Sequence, residues 1–207
     1  MTLFSFVFKA NRKLFIFVRM PFEKIYTYII LKGNGVQFAR NLICYGIPEI
    51  SVHKSATFII GDKCTINTGI KFNPIGRYTP SFFMVRENAI LKIGNNVGIS
   101  STSIICHKEI IIDDNVKIGG GVCIYDTDFH SIDPLLRQDS IKDKKSTISK
   151  PVRIKRNVFI GAHATILKGV TIGENSIVGA CSVVTKDIPA NEIWGGNPAR
   201  FLKKISI

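Results

Sequence analysis

The chain has 207 residues, 45 % of them hydrophobic, and a formal net charge of +13. That length and apolar content supply one domain with appendages and exclude a disordered chain. The basic excess suits nucleic acid, anionic membrane surfaces and phosphorylated ligands alike. The five cysteines, Cys44, Cys64, Cys106, Cys123 and Cys181, are scattered without a CxxC pair, which argues against a zinc module or a disulfide framework and fits a reducing cytoplasm.

Residues 1–32 interleave Phe4, Phe6, Phe8, Phe15, Phe17 and Phe22 with Lys9, Arg12, Lys13, Arg19 and Lys24. Charges interrupt every apolar run, so neither a membrane span nor a signal peptide is expected. After Pro21, the residues Phe22, Ile25, Tyr26, Ile29 and Ile30 recur at helical spacing, and Gly33 is a stop. This predicts a helical, basic-aromatic segment over 1–34. Two roles are open to it: an amphipathic element on an anionic membrane surface, or a helix packed over the open end of a stack or against a neighbouring subunit.

From about Gly35 short strands and glycine turns begin, with Ile50, Val52, Ile59, Ile60, Cys64 and Ile66 among the apolar positions. The prolines and glycine of Asn73-Pro-Ile-Gly-Arg-Tyr-Thr-Pro80 predict a loop projecting from the stack. A six-residue aliphatic period then resumes through Ile93, Ile99, Ile105, Ile112, Ile118 and Ile124, with one extra residue before Ile112. It is most regular at Ile154, Ile160, Ile166, Ile172, Val178 and Val184. Six is even, so a strand keeps these residues on one face, whereas a helix would rotate them. The fourth residue after each, Val158, Ala164, Val170, Ser176, Ser182 and Ile188, shares that parity and is also expected inward. Gly161, Gly173 and Gly179 suit the bends between short strands.

Between Ile124 and Ile154 the repeat is absent for thirty residues. A long insertion at about 125–151 in a regular solenoid is expected to carry function. It holds Asp126-Thr-Asp-Phe-His-Ser-Ile-Asp-Pro134 and a polar tract, Lys142-Asp-Lys-Lys-Ser-Thr147. His130 stands among three carboxylates, and a neighbouring carboxylate can fix its tautomer and stabilise its protonated form, as a general base requires.

The aliphatic-glycine hexapeptides, the 126–134 motif, the run Ile160-Gly-Ala-His-Ala-Thr-Ile-Leu-Lys-Gly-Val-Thr-Ile-Gly173 and the ending Gly196-Asn-Pro-Ala-Arg200 resemble the hexapeptide-repeat acyltransferases. Among these the sugar O-acetyltransferases of capsule, O-antigen and exopolysaccharide biosynthesis are the most similar. The resemblance spans about residues 35–205 and implies a mainly β protein, a left-handed parallel β-helix with three hexapeptides per coil. It further implies a homotrimer with active sites between subunits, binding acetyl-CoA; no metal is expected, and the cysteines and the N-terminal segment together suggest the cytoplasm or the inner face of the membrane.

Carried over by motif, the resemblance makes His130 the general base, with Asp128 or Asp133 as candidate orienting carboxylates. It puts Ala162 and Ala180 along the thioester and pantetheine arm, and Lys186, Arg200 and Lys203 near the CoA phosphates. Ala162 stands where some relatives have serine and Phe159 where tryptophan is frequent, so both depart from the family pattern. His107 falls where an acidic acceptor-binding residue occurs in some sugar acetyltransferases. The implied reaction is direct transfer of acetyl to a sugar hydroxyl. The runner-up is N-acetylation of an amino sugar or nucleotide amino sugar. Distant alternatives are a zinc carbonic-anhydrase-like β-helix using His107, His130 and His163, and a scaffold without catalysis. No nucleic-acid module is present, and His53 carries no argument.

Overall fold

A computed structural model describes residues 3–75 and 79–206, with the side chains of residues 3, 4, 6–8, 10, 12, 13 and 15–17 outside the description. The predicted contributions of Phe4, Phe6, Phe8, Phe15, Phe17, Arg12 and Lys13 therefore lie outside the described side chains. Among the described residues the strands form three sheets, wound in turn by a single chain. The first face runs from Gln37–Phe38 to Thr171–Ile172 and the third from Glu49–Val52 to Val183–Val184. The second starts at Ile43–Tyr45 and ends with Glu192–Gly195 and the antiparallel Arg200–Lys204.

The six-residue period produces this shape directly. Ile154 lies on the first face, Ile160 on the second and Ile166 on the third, and Ile172 returns to the first in register beside Ile154. Aliphatic ladders result: Ile60, Ile93, Ile112, Ile154, Ile172 and Ile188 on one face, and Ile66, Ile99, Ile118, Ile160, Val178 and Trp194 on the next. Val158, Ala164, Val170, Ser176, Ser182 and Ile188 are all buried, as their parity requires. Each buried aliphatic removes its side chain from water for roughly 1.5–3 kcal/mol, so the stack is stabilised coil by coil.

One position of the repeat differs from expectation. The third-face ladder passes through Ile104, which pairs with Phe83 and Ile124 and is fully buried, rather than through Ile105. The corner before it turns one residue early, at Ser101 with φ of 41°. The loop near residue 75 also differs: its described part lies along the stack instead of projecting. Asn73 is buried over Gly120, and the Ile75 carbonyl lies 3.1 Å from His163 Nε2. Of the predicted loop, residues 76–78 lie outside the described residues.

The first helix, α1, spans Leu3–Gly33, with Pro21 inside it rather than before it. Its C-terminus closes with Val36 N donating to Leu31 O at 3.0 Å and Gly35 at φ of 69°, the left-handed turn that glycine adopts without strain. This turn packs Leu31 and Val36 inward, so Thr27 and Glu23, four and eight residues earlier, also face the stack. Thr27 Oγ1 donates to Gly46 O at 3.4 Å. The expected packing residues Phe22, Ile25, Tyr26 and Ile29 are consequently exposed, and only Ile30 is half-buried.

Candidate active site

The loop leaves the stack at the corner between the third and first faces, after strand Cys123–Tyr125, and rejoins it at Val152–Ile154. Register across the gap is undisturbed, with Ile112 paired to Ile154. Asp126 marks the departure point. Its carboxylate is fully buried and accepts from the backbone N–H groups of His107, Lys108 and Glu109 at 2.7–2.8 Å. Three such donors satisfy the buried carboxylate without an ion-pair partner. Burial, then the Asp126 carboxylate, pushes the neighbouring Cys106 thiol up, which makes it a poor nucleophile.

Beyond Asp126 the loop base is closed by a Thr127–Ser149 bridge and by Asp128 N donating to Ile148 O at 3.1 Å. Two short helices follow, α2 (Pro134–Arg137) and α3 (Ser140–Ser146). Asp133 caps α2 by accepting from Leu135 N and Leu136 N, with Pro134 at the first helical position, where its missing N–H leaves nothing unpaired. Asp139 caps α3 by accepting from Ile141 N and Lys142 N. On α3, Asp143 faces back towards the loop start: its Oδ2 is 2.7 Å from His130 Nδ1 and its Oδ1 accepts from Ser131 N at 2.6 Å.

Asp143, not Asp128 or Asp133, is therefore the carboxylate on His130. Asp128 is committed to Lys168 at 2.7 Å, and Asp133 to its helix cap. The hydrogen bond from His130, followed by the Ser131 N–H, holds the Asp143 carboxyl below the usual carboxylate range. An ionised carboxylate only accepts, so Nδ1 carries the proton of the neutral ring and Nε2 is left with a lone pair. The His130 side chain is 70 % exposed while Asp143 is 13 % exposed: the orienting group is sheltered and the ring is accessible.

His130 opens onto a cleft of about 780 Å³ that also meets Val52, Arg86, Glu87, His107 and Phe129. Phe129 has φ of 64°, and its ring stands edge-on to both Tyr125 and His107. Burial lowers the His107 pKa, with Arg86 and Lys144 acting in the same direction and Asp126 opposing them. His107 thus reaches the cleft from the stack side, while His130 reaches it from the loop. His163 lies at a different corner of the stack, against Ile75. Among the described residues no group of three His, Cys, Asp or Glu side chains could hold a metal ion.

The remaining candidate residues gather away from His130. Ala162 follows strand Phe159–Ile160 at the corner between the second and third faces, and Ala180 occupies the same corner one coil on. Glycines are obligatory there: a Cβ on Gly161 would stand 2.5 Å from Ala180 N, and one on Gly119 2.7 Å from Ala162 N. Successive coils therefore approach closely at this corner, and the side chains beside the glycines are the small Ala162 and Ala180. Lys186 sits with its Nζ 5.3 Å from the Trp194 ring, and Trp194 pairs with Phe201 in the terminal hairpin that carries Arg200 and Lys203. All three basic residues are exposed. Within one chain this edge and His130 lie at opposite ends of the third-face strands, so a single chain does not bring them together.

The paired carboxylate went unrecognised in the sequence because Asp143 lies thirteen residues from His130 inside a run of lysines. The signal that could have found it is the pair of helix starts at Asp133-Pro134 and Asp139-Ser140, which fold the polar tract back.

Residues 151–186 match the family model described as bacterial transferase hexapeptide, six repeats. Among solved structures, a hexapeptide-repeat acetyltransferase from Vibrio cholerae O1 biovar eltor, complexed with acetyl-coenzyme A, is 25 % identical. The match covers 91 % of this chain and 85 % of that one, with a TM-score of 0.55. A second structure of a Vibrio cholerae hexapeptide-repeat acetyltransferase is 27 % identical over 83 % of this chain and 72 % of that one, with a TM-score of 0.50. An N-acyltransferase from Bacillus cereus, in complex with dTDP and 3-hydroxybutyryl-CoA, is 18 % identical over 83 % and 81 %, with a TM-score of 0.53, and shares the fold alone. The common architecture is the left-handed parallel β-helix expected from the sequence.

Proposed function

Since the chain is a left-handed β-helix carrying bacterial transferase hexapeptides, we propose that it is an acetyl-CoA-dependent O-acetyltransferase acting on a sugar hydroxyl in bacterial surface polysaccharide biosynthesis. The observation that carries this reading is the His130–Asp143 pair at the mouth of an open cleft, on the 126–151 insertion next to the matched transferase repeats. The acetyl-CoA bound by the Vibrio cholerae relative supports the cosubstrate.

An acceptor hydroxyl is a weak nucleophile at neutral pH. In the proposed mechanism His130 Nε2 removes its proton as the oxygen attacks the thioester carbonyl, and Asp143 holds the ring and stabilises the imidazolium formed. The tetrahedral intermediate collapses with loss of the CoA thiolate, which takes back the proton held on the His130 imidazolium. A backbone amide such as that of Ala162 serves the oxyanion, because alanine offers no hydroxyl for the purpose. The edge that steps from Ala162 to Ala180 fits an extended pantetheine arm, and Lys186, Arg200 and Lys203 fit the CoA phosphates. His107 and Arg86 line the acceptor side of the cleft.

The separation of the Ala162 edge from His130 supports a homotrimer in which one subunit supplies the base and its neighbour the amide edge. The described cysteines are free thiols, which supports a cytoplasmic location.

The test is thiol release from acetyl-CoA with a panel of sugars, nucleotide sugars and amino sugars, run beside His130→Ala. Release that requires both a hydroxyl acceptor and His130 establishes the reading. Preference for an amine makes the protein an amino-sugar N-acetyltransferase. Full activity of His130→Ala overturns the mechanism.

A further inference from the structure

The outer face of α1 is apolar where its inner face is polar. Leu14, Val18, Phe22, Ile25, Tyr26 and Ile29 are between 52 % and 70 % exposed, whereas Glu23 and Thr27 on the opposite side are buried against the stack. At 100° per residue, Leu14, Val18, Phe22, Ile25 and Ile29 fall within one sector about 80° wide, and Thr27 lies diametrically across from it. From Leu14 to Ile29 this stripe runs roughly 22 Å along the helix axis. A helix turned this way loses the usual gain from burying its apolar side on its own protein, so that side is built for another apolar phase.

Charge decides which phase. Over residues 3–33 the sequence has six basic residues, Lys9, Arg12, Lys13, Arg19, Lys24 and Lys32, and a single acid, Glu23. That acid is turned into the stack and paired with Arg19. Among the described side chains, exposed Arg19 and Lys24 stand about 100° and 120° from the centre of the stripe, one on each margin, and no carboxylate lies on the outward side. A second copy of the same helix would bring like charges together, whereas an anionic bilayer offers phosphates to the cations and acyl chains to the stripe. No described helix is long and apolar enough to cross a membrane, which leaves a helix lying in the interface plane.

We propose that α1 docks the protein on an anionic lipid surface, with the Leu14–Ile29 stripe set into the headgroup–acyl boundary and the flanking Arg19 and Lys24 at the phosphates. This inference does not depend on the catalytic reading, since it uses no residue of the cleft or of the amide edge.

The experiment is co-sedimentation of the full chain with phosphatidylcholine vesicles and with vesicles in which about a third of the lipid is phosphatidylglycerol. The wild type should bind the anionic vesicles, bind the neutral ones at least tenfold less, and dissociate as salt is raised. The Ile25→Glu/Ile29→Glu variant should lose at least tenfold in partition while keeping the wild-type melting temperature and mass in solution. Lys24→Gln should lose about fivefold, the contribution of one cation near an anionic surface. No binding to anionic vesicles, or equal binding by the double variant, overturns the proposal. So does a double variant that changes the mass in solution without changing partition, which would make the stripe an interface between copies.

Discussion

In the stack, Ile112, Ile154 and Ile172 lie in register and fully buried, each covered by a like residue above and below. In the loop between residues 126 and 151, Ile132, Leu135 and Ile141 are about three-quarters exposed, and the backbone is held instead by aspartates. Asp126 takes the N–H groups of residues 107–109, Asp133 those of 135 and 136, Asp139 those of 141 and 142, and Asp143 that of Ser131. One region is ordered by repeated apolar burial, the other by carboxylate caps. The difference separates stability from chemistry: the caps aim one imidazole without requiring a core, and a lost cap costs far less than a lost core side chain.

The largest effect should follow from breaking the stack. Ile160→Ala removes a buried side chain between Ile118 and Val178 and should cost about 2–5 kcal/mol in urea unfolding at fixed protein concentration, against about 0.5 kcal/mol or less for Ile141→Ala in the loop. Comparable losses at the two sites would refute the contrast.

His130→Ala should reverse the pattern, cutting turnover by about 10²-fold or more while unfolding and acetyl-CoA binding stay near wild type. Asp143→Asn should follow with about a tenfold loss in turnover, because an amide no longer fixes the tautomer. Asp128→Asn and Asp133→Ser should stay within about threefold, since neither touches the ring. A loss at Asp133 as large as at Asp143 would mean that loop order, not the pair, sets the rate. The Asp143 carboxyl is depressed in the folded state, so its contribution is complete above the unfolded carboxylate pKa and fades only as pH falls through the lower folded one.

The same contrast explains what the sequence could and could not disclose. A period of six names Ile154, Ile160 and Ile166 as inward because burial recurs at each turn, and the one slip, Ile105 for Ile104, occurs where a corner shortens. His130 stood out by its neighbours in the motif, yet its partner Asp143 did not, because a loop without a core leaves no periodic trace. The exposed stripe of α1 was equally hidden. Phe22, Ile25, Tyr26 and Ile29 announce an amphipathic helix, but only the Leu31–Val36 turn decides which side meets the stack.

The smallest predicted effect lies at the boundary of the two regions, where the cleft presents a histidine from each. His107, on the stack side, has its pKa lowered by burial first, so between the unfolded value of about 6.5 and the lower folded one the unfolded chain binds more protons than the folded chain. Stability attributable to His107 is therefore intact above that window and declines as pH falls through it. His107 is only partly buried, so solvent screening limits the effect to about 1–2 °C in Tm. Comparing melting at pH 7.5 and 5.5, the wild type should lose more than His107→Gln by this margin. Equal losses would show that the stack wall does not disfavour a charged imidazole. A larger loss in the wild type would show that His107 meets the cleft as an uncharged imidazole, with one N–H donor and one acceptor nitrogen in the cleft that also holds His130.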